Sequence, residues 1–362
     1  SISMRWIFPF SNEKKVMERI DIKSLNLEEL TAQLKELGLP AFRAKQIYQW
    51  VHEKLVASFD DMTNLSKGLR DQLKERYELI TLQIVDVRIS QIDGTRKYLF
   101  GLPDGHIIES VLMKYKHGNS VCISSQVGCR MGCRFCASTL DGLERNLRPS
   151  EMLDQIYRIQ TDLGERVSNV VVMGSGEPMD NYDNLIRFIH LLTDEHGLNI
   201  SQRNITISTC GIVPKIKELA QKHLQITLAI SLHSPNDEMR RGLMPIAMKY
   251  SIDELLDACH YYFKETNRRM TFEYSLVAGV NDQPVHAEEL AGRLKGFPCH
   301  VNLIPVNPIK ERDFKQSMPK SVMEFKKILE KNRVNVTIRR EMGADINAAC
   351  GQLRRKKLQS RL

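Results

Sequence analysis

No apolar run in this 362-residue chain reaches the roughly 18 residues that a membrane-spanning helix needs, so a helical membrane protein is excluded on sequence. The start, "SISMRWIFPFSNEKK", has a short apolar patch but lacks the layout of a secretory signal. There is no short internal repeat and no low-complexity tract, which excludes a repeat array. With none of these features the expected location is the cytoplasm, where thiols stay reduced. The eight cysteines then read as metal or catalytic groups more readily than as disulfide staples.

What is present is ordinary for a soluble globular protein able to bury a sizeable core: 42% apolar and 27% charged residues. The length suggests two or three domains. A net charge of +8 suits a polyanionic partner. The tail "GQLRRKKLQSRL" concentrates Arg354, Arg355, Lys356, Lys357 and Arg361. From charge alone it reads equally as a solvated terminus or as a phosphate-binding segment.

Residues 25 to 80 read as a small helical module. "SLNLEELTAQLKELGL" has apolar residues at helical spacing, with Ser24 a candidate cap. "PAFRAKQIYQWVHEKL" and "SKGLRDQLKERY" continue the pattern. Arg43, Lys45, Lys67, Arg70 and Lys74 could face a nucleic acid, or simply water. From 82 to 116 apolar and polar residues alternate, with turn signals at Asp93-Gly94 and Asp104-Gly105, as in an antiparallel hairpin.

Beyond that, strand-like runs alternate with helical ones. The strands are "SVCISS", "SNVVVMG", "NITIST", "QITLAISLH", "MTFEYSLVAG", "HVNLIPVN" and "NVTIRR". This is an α/β pattern that suggests a partial or full barrel, with an open doubly wound sheet as the alternative. Either fold puts ligands at the carboxyl ends of strands. Glu177, Ser208, His233 and Asn307 stand at such ends. The expected organisation is a helical module over 1–85, a hairpin extension over 86–118, a barrel over 119–342, and a loop with basic tail over 343–362.

"CRMGCRFC" groups Cys129, Cys133 and Cys136. A zinc site would need a fourth ligand, such as Cys122 or His117. A four-iron cluster held by three thiolates would instead leave one iron open for a substrate. Spacing alone leaves both open. Cys210, Cys259 and Cys299 read as small buried hydrophobes.

The motif resembles the C-x3-C-x2-C signature of the radical S-adenosylmethionine enzymes. "GSGEP", "ISTCG", "SLHSPND" and "IPVNP" fit the same superfamily. In combination, "ESVLMKY", "CISSQVGCRMGCRFCA", "MGSGEPMDN", "SLHSPNDEMRRGLMPI" and "VTIRREMGADINAACGQL" resemble the bacterial ribosomal RNA adenine C2-methyltransferases, which also act on some transfer RNAs. A sister group methylates adenine C8. That group typically has Ala in place of Pro178 and lacks the "IPVNP" form, so the resemblance favours C2.

The resemblance implies a partial (β/α)6 TIM-like barrel carrying a small N-terminal helical RNA-binding domain. It implies a [4Fe–4S] cluster on Cys129, Cys133 and Cys136, and two S-adenosyl-L-methionine molecules per turnover. Gly176, Glu177, Ser208, Ser231, Leu232, His233 and Asn307 would bind the latter. Cys350 would take a methyl group from one S-adenosylmethionine, and cleavage of a second would turn that methyl into a radical that adds to C2. Glu109 would accept the C2 proton, and Cys122 would resolve the RNA–protein crosslink as a disulfide with Cys350. Without the resemblance Glu109 would read as a surface strand carboxylate. The implied partners are 23S rRNA, tRNA and a flavodoxin-like electron donor, with a monomer as the default. Adenine C2 has no acidic proton and no lone pair, which is why its methylation calls for a radical.

Overall fold

The computed structural model describes residues 18–349, 351–353 and the backbone of 356–357; Cys350 and most of the basic tail lie outside the described residues. The chain starts with three helices, α1 (Leu27–Glu36), α2 (Ala41–His52) and α3 (Lys67–Arg76). Asn26 caps α1, not Ser24. The Asn26 side chain accepts from the Glu29 N–H at 2.8 Å, and the Glu29 carboxylate accepts from the Asn26 N–H at 2.9 Å. Ser24 ends a tight turn over Ile22–Ser24, two residues too early, and its hydroxyl donates to the Asp21 carboxylate.

Ten strands form one continuous sheet in chain order. The first three, β1 (Gln83–Ile89), β2 (Arg96–Gly101) and β3 (His106–Tyr115), make an antiparallel meander. Then β3 pairs antiparallel with β4 (Gly118–Cys122). From β4 onward every pairing is parallel: β5 (Val167–Val172), β6 (Ile205–Thr209), β7 (Thr227–Ser231), β8 (Met270–Leu276), β9 (Cys299–Pro305) and β10 (Asn335–Ile338). A short antiparallel pairing of Lys356–Lys357 on β3 joins the same sheet.

Six crossovers link the parallel strands. They hold α4 (Pro149–Leu163), α5 (Tyr182–Thr193), α6 (Val213–Ala220), the pair α7 (Asp237–Leu243) and α8 (Ile252–Thr266), α9 (Pro284–Leu294) and α10 (Pro319–Lys331). A doubly wound sheet reverses its strand order at a switch point. Here spatial order follows chain order and the sheet stays open between β10 and β1, so the fold is a partial (β/α)6 TIM-like barrel. Strand alternation explains its lining. On β8, Phe272 and Tyr274 are fully buried in the core, while Glu273 and Ser275 line the interior cavity.

The helical module is not a detached appendage. Leu34, Tyr48 and Val51 belong to the same buried cluster as Ile156 and Tyr157 of α4. Lys23 Nζ lies 2.6 Å from an Asp154 carboxylate oxygen, both side chains being wholly buried. His52 shares a 2.7 Å hydrogen bond with Tyr157, and Arg158 donates to the Leu55 carbonyl. Replacing Lys23 by Met removes the nearer of the two cations on buried Asp154, leaving Arg158 Nε at 3.4 Å. We expect a loss of about 1–3 kcal/mol, less than for a fully orphaned charge because Arg158 and the Leu82 N–H remain, read as a lower urea midpoint; an unchanged midpoint would show that the pair contributes nothing.

Candidate active site

A cavity opens at the carboxyl ends of the parallel strands. Its floor on one side is the loop after residue 128. This loop is pinned at its base by two short antiparallel strands, Gln126–Gly128 and Leu143–Asn146, which sequence patterning did not anticipate. Within it, the Cys129 N–H donates to Gly142, and the Thr139 hydroxyl donates to the carbonyls of Cys133 and Cys136. All three thiols line the cavity.

Burial pushes the Cys129 thiol up to about 12, and raises Cys133 and Cys136 as well. Three desolvated thiols can be thiolates together only beside a strongly cationic centre. A mononuclear zinc would need a fourth donor to close a tetrahedron. Three thiols on one loop, all facing the cavity, give an all-sulfur set that suits a multi-iron cluster with one iron left open.

Opposite the thiols stands the turn Gly174–Pro178 after β5. At Gly174 a Cβ would lie 2.6 Å from the Ile123 carbonyl oxygen, and at Gly176, whose φ is +106°, it would meet Gln126 at 2.6 Å. These glycines let the turn press against the segment entering the thiol loop. The turn presents Glu177, whose N–H donates to the Gln126 side chain at 2.8 Å. One Glu177 oxygen accepts from the Met179 N–H at 3.1 Å, the other from the Cys210 N–H at 2.8 Å. The buried carboxyl is pushed upward by desolvation and partly restrained by these donors. A cationic ligand group in the cavity would favour its ionised form.

Ser208 and Ser231 line the cavity from the ends of β6 and β7. His233 is buried with φ +57° and accepts from the Ser275 N–H through Nδ1 at 2.8 Å. Its ring meets the Phe135 ring edge-on at 4.6 Å. Burial depresses the imidazole to about 3, so it is neutral, and Nδ1 as acceptor leaves the proton on Nε2. Asn307 is buried in the wall just after β9. Leu232 does not line the cavity; its side chain is in the core, and its carbonyl accepts from Arg240.

Cys122, buried at the end of β4, also lines the cavity. It packs in one apolar cluster with Val111, Met342, Ala348 and Leu353. The flanks of Cys350 are docked here. The Gly351 carbonyl accepts from the Ala137 N–H at 2.8 Å, and the Leu353 carbonyl accepts from the Ser138 hydroxyl at 2.8 Å. Cys350 itself falls outside the described residues. Glu109 is not a surface carboxylate. It is 1% exposed on β3, 3.5 Å from Lys97 Nζ, set back from the cavity on the face that presents Val111 and Met113.

Cys210, Cys259 and Cys299 are buried, as small hydrophobes are, but Cys210 also lines the cavity. Sequence reasoning missed Arg240. This fully buried guanidinium on α7 donates to the carbonyls of Cys210, Ser231 and Leu232, tying the ends of β6 and β7 together. Its partners are 8 to 30 residues away in sequence, so no local pattern announces it.

A partial barrel with three cavity-facing thiols on one loop and a preorganised carboxylate across from them defines a radical S-adenosylmethionine enzyme. Residues 123–291 match the Radical SAM superfamily, and residues 20–79 match the ribosomal RNA large subunit methyltransferase N-terminal domain. The chain is 69% identical over 336 residues to a probable dual-specificity RNA methyltransferase RlmN of Lachnospira eligens, covering 93% of this chain and 96% of that one. It is 64% identical to the protein so described from Lachnoclostridium phytofermentans, covering 94% and 96%. A crystal structure of a radical SAM methyltransferase from Sphaerobacter thermophilus superposes with a TM-score of 0.89 at 44% identity, over 92% of this chain and 99% of that chain. The chain belongs to the RlmN family of RNA methyltransferases, and its cofactors are those of the superfamily, a [4Fe–4S] cluster and S-adenosyl-L-methionine. Among the described residues no helix is long and apolar enough to cross a membrane.

Proposed function

We propose that this enzyme methylates C2 of an adenine in 23S ribosomal RNA and of an adenine in the tRNA anticodon loop. The observation that carries this reading is the single cavity bordered by Cys129, Cys133, Cys136, Glu177, Cys122 and the docked flanks of Cys350. The three loop thiols would hold the cluster. Glu177 would receive the ammonium of S-adenosylmethionine, with Gly176, Ser208, Ser231, His233, Asn307 and the Leu232 backbone around the rest of it. Bound together, cluster and cofactor supply one-electron cleavage of a sulfonium and removal of a hydrogen atom.

The remaining roles belong to the chain. The Cys350 thiolate displaces a methyl group from S-adenosylmethionine and carries it as a thioether. Its sulfur then presents that carbon to adenine C2. Glu109 takes the C2 proton as the adduct gives up one electron, which the one-electron centre held by the loop thiols would accept, leaving a closed-shell thioether link to the base. The Cys122 thiolate attacks the Cys350 sulfur; the sulfur–carbon bond breaks toward the base, which is protonated to methyladenine, and a disulfide remains. That disulfide must be reduced before the next turnover. A flavodoxin-like donor would supply electrons to the cluster, and the enzyme would act as a monomer.

Pro178 and "IPVNP" support C2 over C8. Anaerobic assays with both RNAs, locating the new methyl by mass spectrometry and NMR, test the reading. A C8 product, or no 5′-deoxyadenosine on reduction, overturns it.

We also assign residues 1–85 to RNA binding, 86–118 to a hairpin extension, 119–342 to the barrel and 343–362 to the catalytic loop and tail. Phosphate and stacking contacts would offset the cost of unstacking the target base. Removing the first 90 residues is a poor test, because the module shares its core with α4. Lys74 is an unattractive phosphate ligand, being 2.6 Å from Asp60. The face of α2 is better suited: Phe42 is 60% exposed with Arg43 stacked on it, and Lys45 is exposed. Replacing Phe42, Arg43 and Lys45 together by Ala should weaken RNA binding about tenfold or more at fixed salt. Unchanged affinity in a filter-binding titration would remove the module from the interface.

A further inference from the structure

The turn between β1 and β2 grips the loop that leads to Cys350. The Ser90 hydroxyl and Gln91 N–H donate to the Asp345 carboxylate at 2.6 and 3.0 Å, and the Gly343 N–H donates to Asp93 at 2.9 Å. Gly343 has φ +66°, and a Cβ there would press on Thr95 and Ala348 at under 3 Å, so the fit is close. Just beyond the turn stands Lys97, only 2% exposed. Its ammonium donates to the Asn347 carbonyl at 3.1 Å and sits 3.5 Å from the Glu109 carboxylate. Cross-strand register puts Lys97 opposite Val111, and Val111 opposite Cys122. The three therefore share one row on one face of the sheet, two strand spacings from end to end.

We infer that Lys97 is a positioning residue for methyl transfer, pairing with Glu109 and fastening the Gly343–Ala349 loop over the row that ends in Cys122. This rests on Glu109 being the proton acceptor. A base must be held where the proton will be, and a buried carboxylate is held by the cations and donors beside it. Lys97 is one such cation. Asp93 and Asp345 are engaged by backbone and hydroxyl donors, and Arg339 faces Glu273 at 3.6 Å. Through its second bond the same ammonium reads whether the loop is docked, so base and loop are set together.

Lys97→Met should lower kcat for RNA methylation about tenfold or more with little change in KM for RNA, because base and loop are misplaced while the RNA surface is untouched. Lys97→Arg, which keeps the charge, should recover most of the loss. Glu109→Gln separates the two ideas. Full turnover in Glu109→Gln overturns the assignment of the base itself. An inactive Glu109→Gln with an unchanged kcat in folded Lys97→Met overturns the role of Lys97 alone.

Loop fastening is read without turnover by amide hydrogen exchange over Gly343–Ala349 in the protein as purified. Lys97→Met alone sets an apolar side chain beside a buried carboxylate and costs stability, so the comparison uses Glu109→Gln with and without Lys97→Met. Exchange should quicken about tenfold when the second change is added, the worth of one hydrogen bond. Equal exchange in the two proteins overturns the fastening role.

Discussion

Cys122→Ala enzyme, supplied with reductant, S-adenosylmethionine and RNA, is expected to stop after one event and remain covalently joined to its substrate. The argument runs from position. Cys122 lines the cavity and packs against the residues on either side of Cys350, so its thiol belongs to the working end of the barrel and not to a remote core. A crosslinked Cys350 sulfur is bonded to carbon, and releasing it needs a second nucleophile at that sulfur. Alanine removes the nucleophile while leaving the apolar packing with Val111 and Leu353 nearly intact, so the fold should survive. A denaturing gel should show RNA-shifted protein approaching one equivalent, and released methyladenine should fall by at least about a thousandfold, the usual scale for losing an essential nucleophile. Multiple turnover by this variant, or no adduct under conditions where the parent enzyme turns over, would refute the resolving role.

Cys133→Ala is expected to abolish both S-adenosylmethionine cleavage and methylation. The side chain is half-buried on a loop whose geometry is fixed by other groups: the short strand pair at its base, the Thr139 hydroxyl and the Gly351 carbonyl. Losing one thiol should therefore spare the secondary structure seen by circular dichroism. It should not spare the metal centre, because a cluster with two protein ligands is poorly held. Anaerobically reconstituted parent protein should carry about four irons per chain and a broad visible charge-transfer band; the variant should be nearly colourless. Full methylation by a colourless Cys133→Ala protein would end the iron–sulfur reading.

Much of this was legible in one sequence because the signals are local. The seven strand-like runs that form the parallel part of the sheet are apolar segments bounded by turn residues, and each is found as β4 through β10. "CRMGCRFC" is a contiguous motif, and its three thiols meet one cavity as their spacing suggested. What escaped depends on distant partners. α7 is a seven-residue helix that looks like loop until Arg240 is seen reaching carbonyls on two strands. Glu109 reads as a surface carboxylate because neither Lys97, twelve residues earlier, nor the loop that covers it, more than two hundred residues later, is visible in its neighbourhood. Ser24 was the wrong cap for a simpler reason: its turn residues fit either assignment, and only the backbone bond to Asn26 decides.

The pairing of Lys23 with Asp154 across the module and α4 has a thermodynamic consequence. Two units that share one interior do not melt separately, since loosening either one opens their common apolar core and takes the buried Lys23 from its carboxylate. Scanning calorimetry should then register a single endotherm for the pair. Any tug that a docked nucleic acid exerts on the amino-terminal helices would be delivered, without slack, to the first crossover of the barrel.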